Sequence, residues 1–186
     1  KEIFEQPQAI RDTLESRITN DSVVISAFGY KAEEIFNEVR QVQIVACGTS
    51  YNAGLVAKYW LEDIAKIPCN VEVASEYRYR HPILLNDTLF VTLSQSGETA
   101  DTVEALKIAK KINSNISTLC ITNSSESSLT RLSDLIFLTH AGPEIGVAST
   151  KAFTTQLVAL ALLTSSIGKL KNIINKKQEK EIVSGL

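Results

Sequence analysis

The sequence predicts an α/β fold in three layers, with a parallel sheet between two layers of helices. Five short runs rich in aliphatic and β-branched residues alternate with longer segments of helical periodicity. This alternation is typical of strand–helix–strand units with right-handed crossovers. The runs are apolar at both odd and even positions, as expected for strands that helices cover on both faces. They comprise residues 42–47, 70–74, 87–94, 116–122 and 134–140.

Three other segments have the apolar spacing of helices. They comprise residues 49–67, 99–112 and 149–167. Within the second, four apolar residues recur at the i, i+3, i+4, i+7 spacing of one helix face, and we expect them to face the sheet. These are Ala105, Ile108, Ala109 and Ile112. Two polar segments, residues 75–86 and 123–133, are predicted to form loops or short helices.

The chain is predicted to be one globular module with an extension at each end. Its 186 residues, 44% of them apolar and 22% charged, are enough for one well-packed domain and too few for two large ones. Residues 1–40 form an N-terminal helical segment, residues 41–168 the α/β domain, and residues 169–186 a polar, helix-prone tail. Because the chain opens within a helix-like segment, we expect it to be part of a longer protein.

Charge and composition argue against several classes of function. A formal net charge of -2 disfavours a nucleic-acid-binding surface, which needs a basic patch, and favours a small-molecule ligand. The longest apolar stretch, residues 157–168, is shorter than the roughly 20 residues that cross a bilayer. Cys47, Cys69 and Cys120 are odd in number and widely spaced, which fits reduced thiols in a cytoplasmic protein better than disulfides or a zinc site.

Three of the predicted strands end in loops of glycine and hydroxyl residues. The loops are CGTSYNAG (47–54), SQSGETADT (94–102) and HAGPEIGVASTKAF (140–153). In open parallel sheets, ligands bind at the carboxyl ends of the strands. Loops of this composition offer free N–H groups, hydroxyl donors and a positive helix end, which together suit a phosphate monoester. The chain has neither the Walker pattern of triphosphate sites nor G-x-G-x-x-G after the first strand.

Each loop also has a simpler explanation, because Ser and Thr are common helix N-caps. Thr49 or Ser50 is expected to cap the helix after the first strand. Three such loops at one sheet edge favour a binding site over three unrelated caps. Glu98 and Asp101 would repel a phosphate beside them, so we expect both side chains to point away from the ligand.

Several other polar residues are left with two interpretations. Lys151 is either a partner for phosphate or an ordinary solvated lysine early in a helix. His81 and His140 could act as general acids or bases, but no orienting partner is evident from the sequence, which favours structural roles. The segment EYRYRH (76–81) is a partner surface, an arginine clamp for an anion, or packing.

Four longer motifs carry more information than these patterns do. They are CGTSYNAG (47–54), SEYRYR (75–80), LSQSGETADT (93–102) and EIGVASTKAFTTQ (144–156). In this order they closely resemble the isomerase portion of the glutamine:fructose-6-phosphate aminotransferases, also called glucosamine-6-phosphate synthases. The resemblance runs from the first residues to about residue 170. It implies a sugar isomerase (SIS) module with a five-stranded parallel sheet in the order 2-1-3-4-5.

The resemblance also implies a sugar-phosphate site at the strand ends. The loop after the third strand would hold the phosphate, while Thr49 and residues 147–149 would position the sugar chain. The positions that match the family's substrate-binding residues are Thr49, Ser94, Gln95, Ser96, Thr99, Val147 and Ser149.

Most of the family's catalytic machinery is expected to lie outside this chain. The family hydrolyses glutamine, passes ammonia through an internal channel, and converts fructose 6-phosphate to glucosamine 6-phosphate. A glutaminase domain would precede residues 1–40, and a second SIS domain carrying the catalytic glutamate, histidine and lysine would follow residues 169–186. Glu98 and Glu144 lie within the motifs, but neither matches the family's base. No catalytic residue, metal or cofactor is therefore assigned here.

Isomerisation of a ketose requires a base that moves a proton between C1 and C2. We therefore expect this chain alone to bind sugar phosphate weakly or not at all and to catalyse no turnover. Two other functions remain open: a phosphosugar-sensing SIS module of a DNA-binding regulator, and a free-standing phosphosugar isomerase. The motifs at 47–54 and 144–156 favour the aminotransferase. Homodimerisation is expected, as in the family.

Overall fold

The chain folds into five parallel strands flanked by helices, and the computed structural model describes residues 1–186. The strands are β1 (Gln41–Ala46), β2 (Cys69–Val73), β3 (Thr88–Ser94), β4 (Ser117–Thr122) and β5 (Leu135–Leu138). Their order across the sheet is β2-β1-β3-β4-β5, and every neighbouring pair is parallel. The α/β class is confirmed, as is the strand order that the family resemblance implied.

Eight α-helices connect and surround the strands. They are α1 (Gln6–Leu14), α2 (Ala32–Glu38), α3 (Gly48–Asp63), α4 (Ala74–Tyr77), α5 (Ala100–Ile112), α6 (Ser128–Leu132), α7 (Lys151–Leu170) and α8 (Lys176–Ser184). Two short 3-10 helices lie at Glu2–Glu5 and Ile25–Phe28. The three longest helices, α7, α3 and α5, are those that the apolar spacing predicted.

The helices form two layers, one on each face of the sheet. On one face, α3 packs against α7, and α1 and α2 pack against the same helix. On the other face, α5 packs against α4 and α6. Residues of β3 alternate between the two cores: Leu89 and Val91 face the first layer, and Phe90 faces the second. All seven residues of β3 are buried, which explains why the central strands are apolar on both parities.

Helix α5 buries a stripe that begins three residues before the predicted one. Ala105 and Ala109 are buried as expected, but Ile112 is 44% exposed. The buried positions on this helix are Thr102, Ala105, Leu106 and Ala109. Leu106 shares a core with Phe90 of β3, and the small hydroxyl of Thr102 is buried on the same side of the helix.

Residues 1–40 are part of the packed domain. Phe28 and Phe36 are fully buried, with ring centroids 5.4 Å apart. Phe28 also packs against Phe137 of β5 at 4.8 Å. The Arg17 guanidinium lies 4.2 Å from the centre of the Phe137 ring. The N-terminal segment therefore covers the β5 edge of the sheet.

The tail also packs on the domain. Residues Lys176–Ser184 form α8, which Asn175 caps in a capping box, and Val183 and Glu179 are buried. Helix α7, just before the tail, has the length and composition of a membrane span, but 67% of its most apolar window is buried inside the fold. That burial is what a core helix of a three-layer domain requires.

Candidate functional site

The chain changes direction between β1 and β3, and this creates a crevice. After β1 the chain enters α3 on one face of the sheet, and after β3 it enters α5 on the other face. The two strands are neighbours, with Ala46 paired to Leu93 at their carboxyl ends. Such a switch point is where open α/β sheets bind their ligands.

Asn123 joins two of the three polar loops. Its backbone N–H donates to the Gln95 carbonyl at 3.0 Å, and its side-chain amide donates to the Gly142 carbonyl at 2.7 Å. Its side-chain oxygen accepts from the Ala141 N–H at 2.7 Å. The loops after β3 and β5 are therefore held beside each other. Sequence reasoning missed Asn123, although an asparagine directly after a buried strand was an available signal.

The loop after β3, residues 94–99, is held by its own hydroxyl groups. Ser94 Oγ and Thr99 Oγ1 are 2.9 Å apart, and Ser94 Oγ accepts from the Gly97 N–H at 3.0 Å. Ser94 is only 3% exposed. Of the predicted phosphate residues, Ser94 and Thr99 are thus in contact, and the hydroxyl of Ser94 supports the loop from below.

Gly97 allows this loop to pack against α6. Its φ is +69°, a conformation that residues with a Cβ adopt at a cost. A Cβ at this position would overlap the side chain of Ser127, and the Gly97 carbonyl accepts from the Leu129 N–H at 3.2 Å. The close approach of the loop to α6 therefore requires glycine.

Helix α5 begins directly after this loop, and no side chain caps its first turn. The first N–H groups of a helix have no partner inside it and carry the positive end of its dipole. Ser96 is exposed and Gln95 is half-buried beside this helix end. Ser96 Oγ accepts from the Glu98 N–H at 3.2 Å, which leaves its O–H able to donate outwards. The arrangement suits a small anion such as phosphate.

The loop after β1 lies on the other side of the crevice. Helix α3 begins at Gly48 with Cys47 at the N-cap and no side-chain cap, so the expectation that Thr49 or Ser50 caps it is wrong. The helix starts at Gly48, one residue before the first of these hydroxyl groups, and Gly48 itself has a left-handed φ of +55°. Thr102 of α5 lies next to this loop, with its Oγ1 4.0 Å from Cys47 Sγ.

The loop after β5, residues 141–150, carries the two remaining predicted substrate residues. Val147 is fully exposed, while Ser149 Oγ donates to Glu144 at 3.0 Å. The Glu144 carboxylate also accepts from the N–H of Thr150 at 2.8 Å, so it caps the start of α7. No hydrogen bond joins Val147 or Ser149 to the loop at 94–99.

Lys151 is neither solvated nor directed at a phosphate. It is 3% exposed, and its Nζ lies 2.6 Å from the Glu5 carboxylate. Both interpretations drawn from the sequence are therefore wrong for this residue. Its partner is far away in the chain, and a buried cation requires such a partner to offset its lost hydration.

Both carboxylates near the loop at 94–99 are turned toward other groups, as predicted. Glu98 accepts from Ser128 Oγ at 2.7 Å and from its N–H at 2.6 Å, and these hydrogen bonds hold its pKa below the ordinary value. Asp101 pairs with Arg78 at 2.6 Å. Arg80 pairs with Glu72 at 2.6 Å. The arginines of the EYRYRH segment are thus engaged within the chain, which favours packing over an open clamp.

The two histidines differ in their surroundings. His140 Nε2 lies 3.3 Å from the Arg17 guanidinium, a partner that the sequence did not reveal. Partial burial and the Arg17 charge lower the pKa of His140, so the ring is held neutral near pH 7. His81 is exposed.

Five clefts of about 260 to 750 Å³ lie away from the candidate site. None of these five is lined by the predicted sugar-phosphate residues. One cleft of about 700 Å³, lined by Arg40, Lys66 and Asp87 among others, lies where β1 and β3 begin. Because Ser96 and Val147 are exposed, a ligand that contacts them stays open to solvent unless another part of the protein covers it.

Comparison with known proteins identifies the family of this chain. A family model described as the SIS domain matches residues 35–166, which include all five strands and most of α7. The chain belongs to the SIS domain family. Two curated proteins named glutamine–fructose-6-phosphate aminotransferase (isomerizing), from Aliivibrio fischeri and Pseudomonas syringae, are 56% and 59% identical to it over 186 residues.

The SIS domain described here spans part of these relatives. It covers 30% of the length of each. A solved structure of the C-terminal domain of glucosamine-fructose-6-phosphate aminotransferase from Francisella tularensis matches 99% of this chain with a TM-score of 0.94 and 51% identity. This SIS domain covers 51% of that solved chain, so about half of it has no counterpart here.

Proposed function

We propose that this SIS domain is the fructose-6-phosphate-binding half of the isomerase domain of a glutamine:fructose-6-phosphate aminotransferase, which makes glucosamine 6-phosphate for amino-sugar biosynthesis. The observation that carries the proposal is the uncapped start of α5 beside the loop at 94–99, in a chain 56% and 59% identical to two proteins with that activity in their names. A helix end with free N–H groups and adjacent hydroxyls has the chemistry that a phosphate monoester requires.

The proposed contacts divide between phosphate and sugar. The phosphate accepts hydrogen bonds from the hydroxyls of Ser96 and Thr99 and from N–H groups at the start of α5. Gln95 lies at its edge, and Ser94, beneath the loop, completes the set of phosphate-binding residues. Thr49, across the crevice, contacts the sugar chain. Val147 and Ser149 contact the sugar from the loop after β5.

The reaction itself is proposed to need parts outside this chain. Glu98 and Glu144 are held by hydrogen bonds to Ser128 and to the start of α7, so neither is placed as a free base for the C1–C2 proton transfer. We propose that residues 1–40 connect to a glutaminase domain and that residues 169–186 connect to a second SIS domain that carries the base. The proposed whole protein is a cytoplasmic homodimer.

Two alternative functions share the fold. A phosphosugar-sensing module and a free-standing phosphosugar isomerase would both use the phosphate loop. The identity of 56% to 59% over the full chain, including the loop at 144–151, supports the aminotransferase over either of them. Turnover of fructose 6-phosphate by this chain alone would support the free-standing isomerase.

Ligand-induced chemical shifts test the location of the site. In an ¹⁵N-labelled sample of this chain titrated with fructose 6-phosphate, we expect the amide signals of residues 94–102 and of Thr49 to shift most. Inorganic phosphate should shift the first set and leave Thr49 unchanged, because it has no sugar chain. Shifts concentrated around Arg40 and Lys66, in the cleft at the other end of the strands, would contradict the proposal.

A further inference from the structure

The loop after β5 is held by side chains rather than by its own backbone. Residues 141–149 belong to no helix or strand, and no backbone–backbone hydrogen bond involves them. Four consecutive residues, 145–148, are exposed. A loop of this kind has many accessible conformations unless specific contacts select one.

Glu2 supplies contacts to the exposed part of this loop. Its carboxylate accepts from the N–H of Ile145 at 2.7 Å and from the N–H of Gly146 at 3.2 Å. These backbone hydrogen bonds lower the pKa of Glu2, so the side chain is charged near pH 7. A Cβ on Gly146 would lie 2.7 Å from the Glu2 carboxylate, so glycine permits this close approach.

The segment that carries Glu2 is anchored to the start of α7. Glu5 pairs with the buried Lys151 at 2.6 Å, and Gln6 accepts a hydrogen bond from Thr154. Glu2, one turn earlier, is thereby fixed over Ile145 and Gly146. Two carboxylates therefore hold the loop: Glu144, which lies within it, and Glu2, which belongs to the N-terminal segment. We call the contacts of Glu2 with the loop the clamp.

We propose that Glu2 is a positioning residue for sugar-phosphate recognition, because it holds the loop after β5 in the conformation that presents Val147 and Ser149 to the ligand. This inference rests on the proposed function, since it assigns those two residues to the sugar. It adds that recognition depends on the N-terminal segment, so that movement of this segment changes affinity for the ligand. The clamp lies on the surface, and its loss should leave the core intact.

Variants of Glu2 separate positioning from stability. In Glu2→Ala, we expect the affinity for glucosamine 6-phosphate, measured by titration calorimetry, to fall about tenfold, with the melting temperature nearly unchanged. Hydrogen exchange at the amides of Ile145 and Gly146 should become faster. Glu2→Gln should restore part of the affinity, because its side-chain carbonyl still accepts a hydrogen bond. Glu34→Ala is the matched control, as this exposed glutamate of α2 has no ion pair or hydrogen bond.

The outcomes distinguish this inference from the proposed function. If the unmodified chain binds the sugar phosphate and Glu2→Ala binds it equally well, the positioning role is wrong while the proposed function stands. If exchange at Ile145 and Gly146 is unchanged in Glu2→Ala, the clamp does not order the loop and the inference is also wrong. If the unmodified chain binds no sugar phosphate but exchange at Ile145 and Gly146 is faster in Glu2→Ala, the proposed function fails for this chain while the hold of Glu2 on the loop stands.

Discussion

Two glycines at the strand ends differ in what a substitution by alanine would cost. Gly48 and Gly97 both have positive φ, +55° and +69°. A Cβ on Gly48 would meet no atom within 4 Å, whereas one on Gly97 would overlap Ser127. The backbone at Gly48 can therefore keep its shape after substitution by alanine, whereas the loop at 94–99 cannot keep its shape after substitution at Gly97.

We predict that Gly97→Ala destabilises the domain more than Gly48→Ala does. Gly48→Ala should lower the free energy of unfolding by only about 1 to 2 kcal/mol, the cost of a left-handed conformation for a residue with a Cβ. Gly97→Ala adds the overlap with Ser127 and should also weaken sugar-phosphate binding. Urea denaturation of both variants measures the difference, and equal losses would show that the loop yields easily at Gly97.

At the residue scale, the sequence predicted the kinds of side chain at the site better than their contacts. Serine, threonine and glycine at three strand ends follow from general rules for phosphate sites. The burial of Lys151 could not be predicted, because its partner Glu5 is far away in the chain. Asn123 was missed for a similar reason, since its bonds to Gln95 and Gly142 exist only after the strands are aligned.

At the scale of elements, the tail helix α8 depends on one buried carboxylate. Glu179 accepts from Ser22 Oγ at 2.6 Å, from the Val23 N–H at 2.9 Å and from Lys169 Nζ at 2.9 Å. Burial alone would raise the pKa of Glu179, but the hydrogen bonds from Ser22, Lys169 and Val23 outweigh it and lower the pKa. The charged form is therefore the one that attaches α8 to the N-terminal segment.

We predict that Glu179→Gln lowers the free energy of unfolding at pH 7 by about 1 to 3 kcal/mol, as expected when a buried charged hydrogen-bond partner is lost. Because the folded pKa lies below the unfolded one, this contribution is present above the unfolded pKa, about 4.3, and disappears as pH falls through the folded pKa. The difference between wild type and variant should thus shrink in acid. Denaturation at pH 7 and below pH 4 measures it.

Glu181→Gln is the control for the same helix. Glu181 is 65% exposed and lies 3.9 Å from Lys177, so its loss should change the free energy of unfolding by less than about 0.5 kcal/mol. If Glu181→Gln and Glu179→Gln are equally destabilising, burial of Glu179 is not what secures α8.

Whole elements were predictable where burial is uniform. The strands were found because both of their faces are covered, and their order came from the family resemblance rather than from periodicity. The phase of α5 was not predictable from spacing alone, because two overlapping stripes fit the same sequence and packing of Leu106 beside Phe90 selects one. The contribution of residues 1–40 to the core was also missed, since Phe28 and Phe36 lie in short helices without a clear pattern.

For the whole molecule, the account narrows the expectation drawn from the sequence, weak or no binding, to weak binding without turnover, because the loop at 94–99 and the start of α5 both lie within this chain. This chain, at up to micromolar concentration, should not convert fructose 6-phosphate to an aldose phosphate above the uncatalysed rate, because the carboxylates of the motifs, Glu98 and Glu144, are held by hydrogen bonds. Addition of glutamine should not change this rate. Product analysis by NMR over hours measures this, and turnover that scales with protein concentration would place a complete active site within the chain.

The central claim is that the loop at 94–99 and the start of α5 hold the phosphate of a sugar phosphate. Titration calorimetry with glucosamine 6-phosphate tests it most directly, on the unmodified chain, on the Ser96→Ala, Thr99→Ala double variant, and on Ser114→Ala as a control at the far end of α5. The account predicts binding by the unmodified chain and the control, and at least about a tenfold loss in the double variant, since hydrogen bonds to a charged group contribute about 1.5 to 3 kcal/mol each. Equal binding by all three proteins would contradict it.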